Sequence, residues 1–332
     1  MKRRLLGQGG PVVSAIGVGG LSFSAFYGPT TEAASHAVLA AALELGIDHI
    51  DTANVYGVGL SERVIGSFLA GRRGEPPFTI ATKAGIRRDP ETGARGFDNS
   101  KAHLQAELDA SLGRLGVEAV DLYYVHRRDP RIEIEELAET LAGFIQAGKI
   151  KSYGLSEIAP STLRRAATVH PVAAVQSEYS LSTRAVELGL VQACAELGTA
   201  LVAFSPVGRG LLTDRPPTPA SVAESEFLKV NPRFIEPNLS ANVGITDDFR
   251  ALARELGTPA AALAVAWLLH QGEHVLAIPG TRSVAHLREL AAGGSLQLGP
   301  EALAAIERTL PVGWAHGDRY SAGQWVGPER FG

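Results

Sequence analysis

Four ionisable residues lie at or just beyond the ends of three consecutive predicted strands. Asp51 ends one strand, Tyr56 follows it in a glycine-rich loop, Lys83 ends the next strand and His126 ends the one after. Because the carboxyl ends of parallel strands meet at one edge, where α/β proteins build their sites, we expect these four side chains to converge. Taken singly, each residue also fits an ordinary role: a turn or cap residue, a packed aromatic, a solvated strand end and a core histidine.

Together the four residues suit the donation of a proton to a carbonyl oxygen. A tyrosine has a pKa of about 10 and gives up its proton reluctantly at neutral pH. A nearby lysine ammonium stabilises the phenolate and lowers that pKa. Asp51 would hold Lys83 in place and charged, and His126 would hydrogen-bond the substrate oxygen. This arrangement predicts general acid catalysis by Tyr56.

Three other chemistries have weaker signals. His49 and Asp51 lie on the same face of a predicted strand, but HxH and HExxH spacings are absent from the sequence, so we expect no metal site. The sequence also contains no GxSxG nucleophile motif. Residues 154–157 begin like this motif but lack its second glycine. Residues 17–22 fail the last position of the GxGxxG fingerprint, which disfavours a Rossmann nucleotide domain.

Strand and helix patterns alternate along most of the chain. This alternation predicts a parallel sheet, and eight strands fit a closed (β/α)₈ barrel better than the alternative, an open doubly wound sheet. We expect one domain over residues 1–332, an N-terminal hairpin over 2–13 beneath the barrel, and a functional loop over 206–244. The predicted strands are 15–19, 49–51, 79–83, 122–126, 150–156, 173–178, 200–204 and 275–279. The predicted helices are 31–45, 61–69, 100–115, 134–147, 160–169, 185–197, 247–256, 259–270 and 284–292.

Composition restricts the partners. The 332 residues are 45% hydrophobic and 20% charged, which is typical of a globular protein. A net charge of −4 offers no positive excess for a nucleic-acid backbone. The single cysteine, Cys194, is expected to be a packed core thiol. The sequence shows no signal peptide, and the apolar stretch 259–270 is too short to cross a membrane, so we expect a cytoplasmic protein without membrane contact. The sequence does not indicate an oligomeric state.

Several motifs, spread over nearly the whole chain, resemble those of the aldo-keto reductases, and of the bacterial and fungal NADP-dependent subgroup in particular. The first signature is residues 51–57 with Ser61 and Glu62. Thr82 and Lys83, and residues 123–127, carry the other two tetrad positions. The remaining matches are residues 17–20, 148–156, 176–180, 204–212, 278–282 and 317–320, with 231–234 in the long loop.

The resemblance implies an NADPH-dependent reductase of small-molecule aldehydes or ketones, in which Asp51, Tyr56, Lys83 and His126 form the tetrad and Tyr56 donates the proton. It also implies that Ser156 and Gln176 bind the nicotinamide carboxamide and that Tyr179 stacks on the ring. The pyrophosphate would lie along Ser205, Val207 and Arg209. The adenosine 2′-phosphate and adenine would be surrounded by Gly280, Thr281, Arg282, His286 and Glu289. An alternative is an accessory, cofactor-sensing subunit of the same fold without significant turnover.

The chain departs from the family pattern at three positions. Glu157 replaces the usual asparagine after the serine, Leu290 replaces asparagine after Glu289, and His286 replaces arginine or glutamine. Arg282 therefore has to supply most of the charge that favours NADPH over NADH. Residues expected near the substrate pocket are Phe23, Tyr27, Ile86, Arg87, Arg127, Arg128 and the 206–244 loop.

Overall fold

The structure is a computed structural model that describes residues 1–72, 74–88, 91 and 95–330. The strands of this part are β1 (Arg3–Leu5), β2 (Val12–Ser14), β3 (Val18–Gly19), β4 (His49–Asp51), β5 (Thr79–Ala84), β6 (Ile86–Arg88), β7 (Arg95–Phe97), β8 (Val120–Val125), β9 (Ile150–Ser156), β10 (Ala174–Glu178), β11 (Ala200–Phe204) and β12 (Val275–Ala277). The helices are α1 (Glu32–Glu44), α2 (Leu60–Ala70), α3 (Lys101–Leu115), α4 (Ile134–Gln146), α5 (Pro160–Ala167), α6 (Leu190–Leu197), α7 (Pro219–Ala223), α8 (Asn238–Glu255), α9 (Ala260–His270), α10 (Val284–Ala292) and α11 (Pro300–Thr309).

Eight strands of the described residues form one parallel sheet in the order β12-β11-β10-β9-β8-β5-β4-β3. A parallel bridge between Ile16 and Ala277 joins its two edges, and the Ala277 amide donates to the Ala15 carbonyl at 2.9 Å. The sheet is therefore a closed barrel with helices around it, as predicted, and the open-sheet alternative is wrong. Closure brings all eight carboxyl ends to one rim.

The N-terminal hairpin of β1 and β2 covers the opposite end of the barrel, as expected. Leu6 and Val13 are buried together with inward-facing strand residues, among them Leu122, Tyr124 and Val202. Gly7 has φ +83°, and a Cβ there would lie 2.2 Å from the Ala173 carbonyl oxygen. The hairpin thus completes the core at the amino ends of the strands and leaves the carboxyl rim free for a site.

The structure differs from the prediction in the connecting segments. The predicted 185–197 helix is divided at Gly189, whose φ of 133° is incompatible with a helix, into a short 3₁₀ turn and α6. Helix α8 begins at Asn238, inside the segment predicted as a loop, and α7 also lies there. The β6–β7 hairpin and α11 were not predicted. The long loop has a small core of its own, formed by Leu211, Val222, Leu228, Phe234 and Leu239.

Cys194 is fully buried in the main core, as expected, and burial raises its pKa to about 12. Among the described residues, no single helix has both the length and the apolar composition to cross a membrane. The pair α8 and α9, bent by 89°, meets that test jointly.

Candidate active site

A cavity of about 1130 Å³ opens at the carboxyl ends of the barrel strands. It is large enough for a dinucleotide and a small substrate together. Thirteen of the fifteen site residues predicted from the sequence line it: Asp51, Tyr56, His126, Ser156, Gln176, Ser205, Val207, Arg209, Gly280, Thr281, Arg282, His286 and Glu289. The other two are Lys83, which is fully buried and contacts Asp51 and Tyr56, and Tyr179.

Lys83 connects Asp51 to Tyr56. Its ammonium forms a buried ion pair with Asp51 Oδ1, donates to the Thr52 carbonyl at 2.8 Å and lies 3.3 Å from the Tyr56 hydroxyl. The side chains of Lys83 and Asp51 are 0% and 2% exposed, so neither charge is hydrated and each depends on the other. Asp51, Lys83 and Tyr56 therefore form one contiguous cluster.

The pKa values in this cluster follow from burial and charge. Burial alone would lower the pKa of Lys83, but Asp51 and Tyr56 raise it above its usual value, so Lys83 is charged at neutral pH. Burial raises the pKa of Tyr56, and Lys83 only partly opposes this. The expected lowering by Lys83 is thus present, but the hydroxyl keeps its proton more firmly than a free tyrosine does.

His126 lies beside Tyr56, with the two ring centroids 5.7 Å apart in an edge-to-face arrangement. Burial, followed by the charges of Arg127, Lys83 and Arg95, holds the pKa of His126 well below its usual value. The imidazole is therefore neutral at pH 7. A neutral imidazole next to the tyrosine hydroxyl can hydrogen-bond an oxygen without competing for the role of acid.

Gln176 lies between the ion pair and the cavity. Its Nε2 donates to Asp51 Oδ2 at 2.8 Å, so the amide oxygen is free to accept a hydrogen bond from a ligand. On the neighbouring strand Ser156 Oγ accepts from Arg127 Nη1 at 3.0 Å. The two residues predicted to bind the carboxamide thus lie on adjacent strands and both line the cavity.

Tyr179 does not lie where a ring could stack on it, and this expectation is wrong. Its ring is fully buried, packs edge-to-face on Trp267 with centroids 5.8 Å apart, and its hydroxyl donates to Glu187 at 2.9 Å. Phe204, at the end of β11, lines the cavity instead. Tyr179 follows the end of β10, where the chain turns into the core. Both residues lie at or next to a strand end, so packing against Trp267 is what distinguishes them.

Glu157 points away from the cavity into a buried cluster of charges. Its carboxylate accepts from the Glu178 amide at 2.9 Å and from Arg319 Nη2 at 2.5 Å. Glu178 in turn pairs with Arg209 at 2.5 Å. Burial raises the pKa of Glu157, but Arg319 and Arg127 more than offset this and lower it, so the carboxylate is charged. Glu157 therefore anchors the C-terminal segment rather than a ligand.

The far end of the cavity lies at the N-terminus of α10. The Ser283 side chain caps this helix by accepting from the His286 amide at 3.4 Å. Arg282 is exposed and donates to the Pro29 carbonyl at 2.8 Å, so its guanidinium keeps other donors for a ligand. A cation beside free helix N–H groups favours an anion such as a phosphate.

The C-terminal segment forms part of the cavity wall, which the sequence analysis missed. Tyr320 and Gln324 line the cavity. Arg319 fastens this segment to Glu157, and Glu329 fastens it to α5 by accepting from the Ala159 amide at 2.8 Å. The match at residues 317–320 was the available signal, but it carried no assigned role.

The residues expected around the substrate divide into two groups. Tyr27, Ile86 and Arg127 line the cavity, as do parts of the 206–244 loop. Phe23 is buried in the core, Arg87 is exposed, and Arg128 pairs with Glu329 at 3.0 Å. These last three are not cavity residues. The described residues contain no group of three or more His, Cys, Asp or Glu side chains placed to hold a metal ion.

Comparison with known proteins identifies the family. The profile of the aldo/keto reductase family matches residues 15–310, and the chain belongs to this family of oxidoreductases. An NADP(+) aldo-keto reductase of Schizosaccharomyces pombe is 37% identical over 320 residues, which cover 95% of this chain and 94% of that protein.

Solved structures show the same barrel. A glycerol dehydrogenase from Gluconobacter oxydans is 29% identical, with a TM-score of 0.81 over 93% of this chain and 94% of that one. The holo form of an aldo-keto reductase from Bacillus halodurans is 26% identical, with a TM-score of 0.78 over 98% and 99% of the two chains.

Proposed function

We propose that this protein reduces aldehydes or ketones to alcohols with NADPH, and that Tyr56 is the proton donor. The observation that carries the proposal is the buried Asp51–Lys83 pair, whose ammonium lies 3.3 Å from the Tyr56 hydroxyl at the edge of a dinucleotide-sized cavity. The fungal relative that shares 37% of its residues is named for NADP(+), which supports the choice of cofactor.

The cavity residues fit a dinucleotide bound along the rim. Arg282 and the N-terminus of α10 would hold the 2′-phosphate, with Thr281, Gly280, His286 and Glu289 around the adenosine. Ser205, Val207 and Arg209 would line the pyrophosphate. Arg209 is already paired with Glu178, so it contributes less net charge to the ligand than its type suggests. A nicotinamide cofactor held by these residues would supply the hydride for the carbonyl carbon.

The other end of the dinucleotide would lie against the strand ends. Ser156 and the Gln176 amide oxygen would bind the carboxamide, and Phe204 takes the stacking position that was assigned to Tyr179. Because Gln176 also donates to Asp51, it would couple the position of a bound nicotinamide to the Asp51–Lys83 pair.

The proton moves from the Tyr56 hydroxyl to the substrate oxygen. Neutral His126 orients that oxygen, and Lys83 stabilises the phenolate that remains. Because the pKa of Tyr56 is raised by burial, the hydroxyl is protonated at neutral pH before the reaction. Asp51 keeps Lys83 charged in a site that would otherwise favour its neutral form.

Tyr56→Phe tests the proposal, because it removes the hydroxyl and keeps the ring. General acid catalysis contributes about 10²–10⁴-fold, so NADPH oxidation with an aldehyde should fall by at least that factor. NADPH binding, followed by fluorescence, should change only a few-fold, since the hydroxyl faces the substrate. Turnover close to that of the unmodified protein would contradict the assignment. Tight NADPH binding by the unmodified protein without reduction of any carbonyl would favour the accessory-subunit alternative.

A further inference from the structure

Arg127 lies immediately after β8, beside His126, and is 8% exposed. It lines the cavity together with Tyr56, His126 and Ser156. Its backbone is fixed, because Asn99 Nδ2 donates to the Arg127 carbonyl at 3.2 Å. The guanidinium is therefore held at the end of the cavity where the carbonyl group reacts, rather than on the outer rim.

Arg127 forms no salt bridge with a carboxylate of the described part of the chain, although its charge acts on buried Glu157. Its Nη1 donates to the His126 carbonyl at 2.6 Å and to Ser156 Oγ at 3.0 Å, and both acceptors are neutral. Its Nε is buried without any acceptor, and Nη2 makes no hydrogen bond to a described residue. A buried cation without an anion is costly, so such a group indicates a missing partner.

The neighbouring buried arginines are arranged differently. Arg209 pairs with Glu178 at 2.5 Å, and Arg319 pairs with Glu157 at 2.5 Å. Both glutamates are therefore hydrogen-bonded to other arginines. Among these three guanidiniums, the one beside the reacting residues is the one without a salt bridge to a described carboxylate.

The charge of Arg127 also acts on His126, whose pKa burial and this charge both lower. A ligand that brings a negative charge to this end of the cavity is therefore favoured over a neutral ligand of the same shape.

We propose that the preferred substrates carry a carboxylate or phosphate a few atoms from the carbonyl carbon, and that Arg127 binds this anion. Its free donors suit an oxyanion, since arginine binds planar carboxylates and phosphates with several N–H groups at once. This inference rests on the proposed reductase function and specifies its substrate class. The phosphates of the cofactor would lie elsewhere, along Arg209 and Arg282.

The test compares substrates that differ only in charge. The 2-, 3- and 4-carboxybenzaldehydes are each paired with the methyl ester of the same isomer, and kcat/KM is measured by NADPH oxidation at fixed ionic strength. For at least one isomer, the unmodified protein should prefer the acid to the ester. A charge-assisted hydrogen bond corresponds to about a ten- to hundred-fold preference. Formylmethyl phosphate compared with its uncharged dimethyl triester separates phosphate from carboxylate recognition.

Arg127→Gln should abolish this preference, because it removes the charge and retains a polar side chain. Arg127→Lys should retain part of it, because the charge remains. Arg87→Gln is the matched control: Arg87 is exposed on β6 and does not line the cavity, so the preference should stay.

The outcomes are distinguishable. Absence of NADPH oxidation with every pair would refute the proposed function itself. Reduction without a preference for any acid would refute this inference alone. If both Arg127→Gln and Arg127→Lys lower the acid and ester rates equally and leave the preference unchanged, Arg127 acts only by positioning Ser156, which also overturns the proposal.

Discussion

Our most direct prediction concerns the buried Asp51–Lys83 pair and its effect on both the free energy of unfolding and turnover. Lys83→Met keeps the side-chain length but removes the ammonium, which leaves the Asp51 carboxylate with Gln176 as its remaining side-chain donor in the described structure. Asp51→Asn leaves the fully buried ammonium with the Thr52 carbonyl and the Tyr56 hydroxyl. Each single variant therefore leaves one buried charge without its partner, whereas the double variant contains neither charge.

The magnitude follows from the burial of both side chains. Removing one partner of a buried ion pair costs about 3–5 kcal/mol, because the other charge is left without compensation. The double variant Lys83→Met with Asp51→Asn removes both charges and should lose much less than the sum of the two single effects. We expect a coupling free energy of at least about 2 kcal/mol.

The assay is urea denaturation of the four proteins at pH 7, without cofactor. The exposed pair Lys149–Asp109 is the matched control, and the same substitutions there should couple by less than about 1 kcal/mol. In parallel, turnover should fall most in Lys83→Met, because the ammonium beside Tyr56 is lost outright. Additive losses for the buried pair would refute the stated dependence of each charge on the other, and unchanged turnover in Lys83→Met would refute its role beside Tyr56.

Two further predictions concern cofactor choice and pH. Arg282→Ala should weaken NADPH binding by about ten- to a hundred-fold and leave NADH nearly unchanged, because NADH lacks the phosphate. Dissociation constants for both cofactors at one ionic strength check this, and equal losses would show that Arg282 acts through local structure. His126 is held neutral in the folded protein, so the unfolded chain binds its proton first, and the free energy of unfolding falls as pH drops below about 6.5. His126→Gln should make the dependence of the unfolding free energy on pH shallower. Buried His49 accounts for part of the dependence that remains. An unchanged slope between pH 6.5 and 5 would argue against a neutral His126.

The barrel and the central site were predictable because their signals are local. Short apolar strands alternate with helices that end in glycine, and each predicted tetrad residue lies at a strand end or just after it. Closure of the barrel then places Asp51, Lys83 and His126 on one rim without further information. The strands were displaced from prediction by at most a few residues, which does not affect which side chains reach the rim.

The errors arose where tertiary contacts decide the outcome. Tyr179 and Phe204 both lie near strand ends, and only packing against Trp267 shows that Tyr179 turns into the core. From the sequence, Glu157 is a substitution in a predicted ligand site. Its actual role was hidden because its partner, Arg319, is 162 residues away in the chain. The same separation concealed the C-terminal segment, since its attachments to Glu157 and α5 have no periodicity in the sequence.

The attachment of that C-terminal segment has a consequence for comparisons between relatives. The family profile ends at residue 310, whereas Tyr320 and Gln324 supply part of the cavity wall from beyond it. Residues 15–310 therefore decide membership of the family, whereas part of the cavity wall comes from residues that follow them. Two relatives can share every residue of the barrel rim and still differ in the shape offered to a substrate. A substrate known for one relative can therefore be assigned to another only when their sequences agree over residues 317–330 as well as over the barrel.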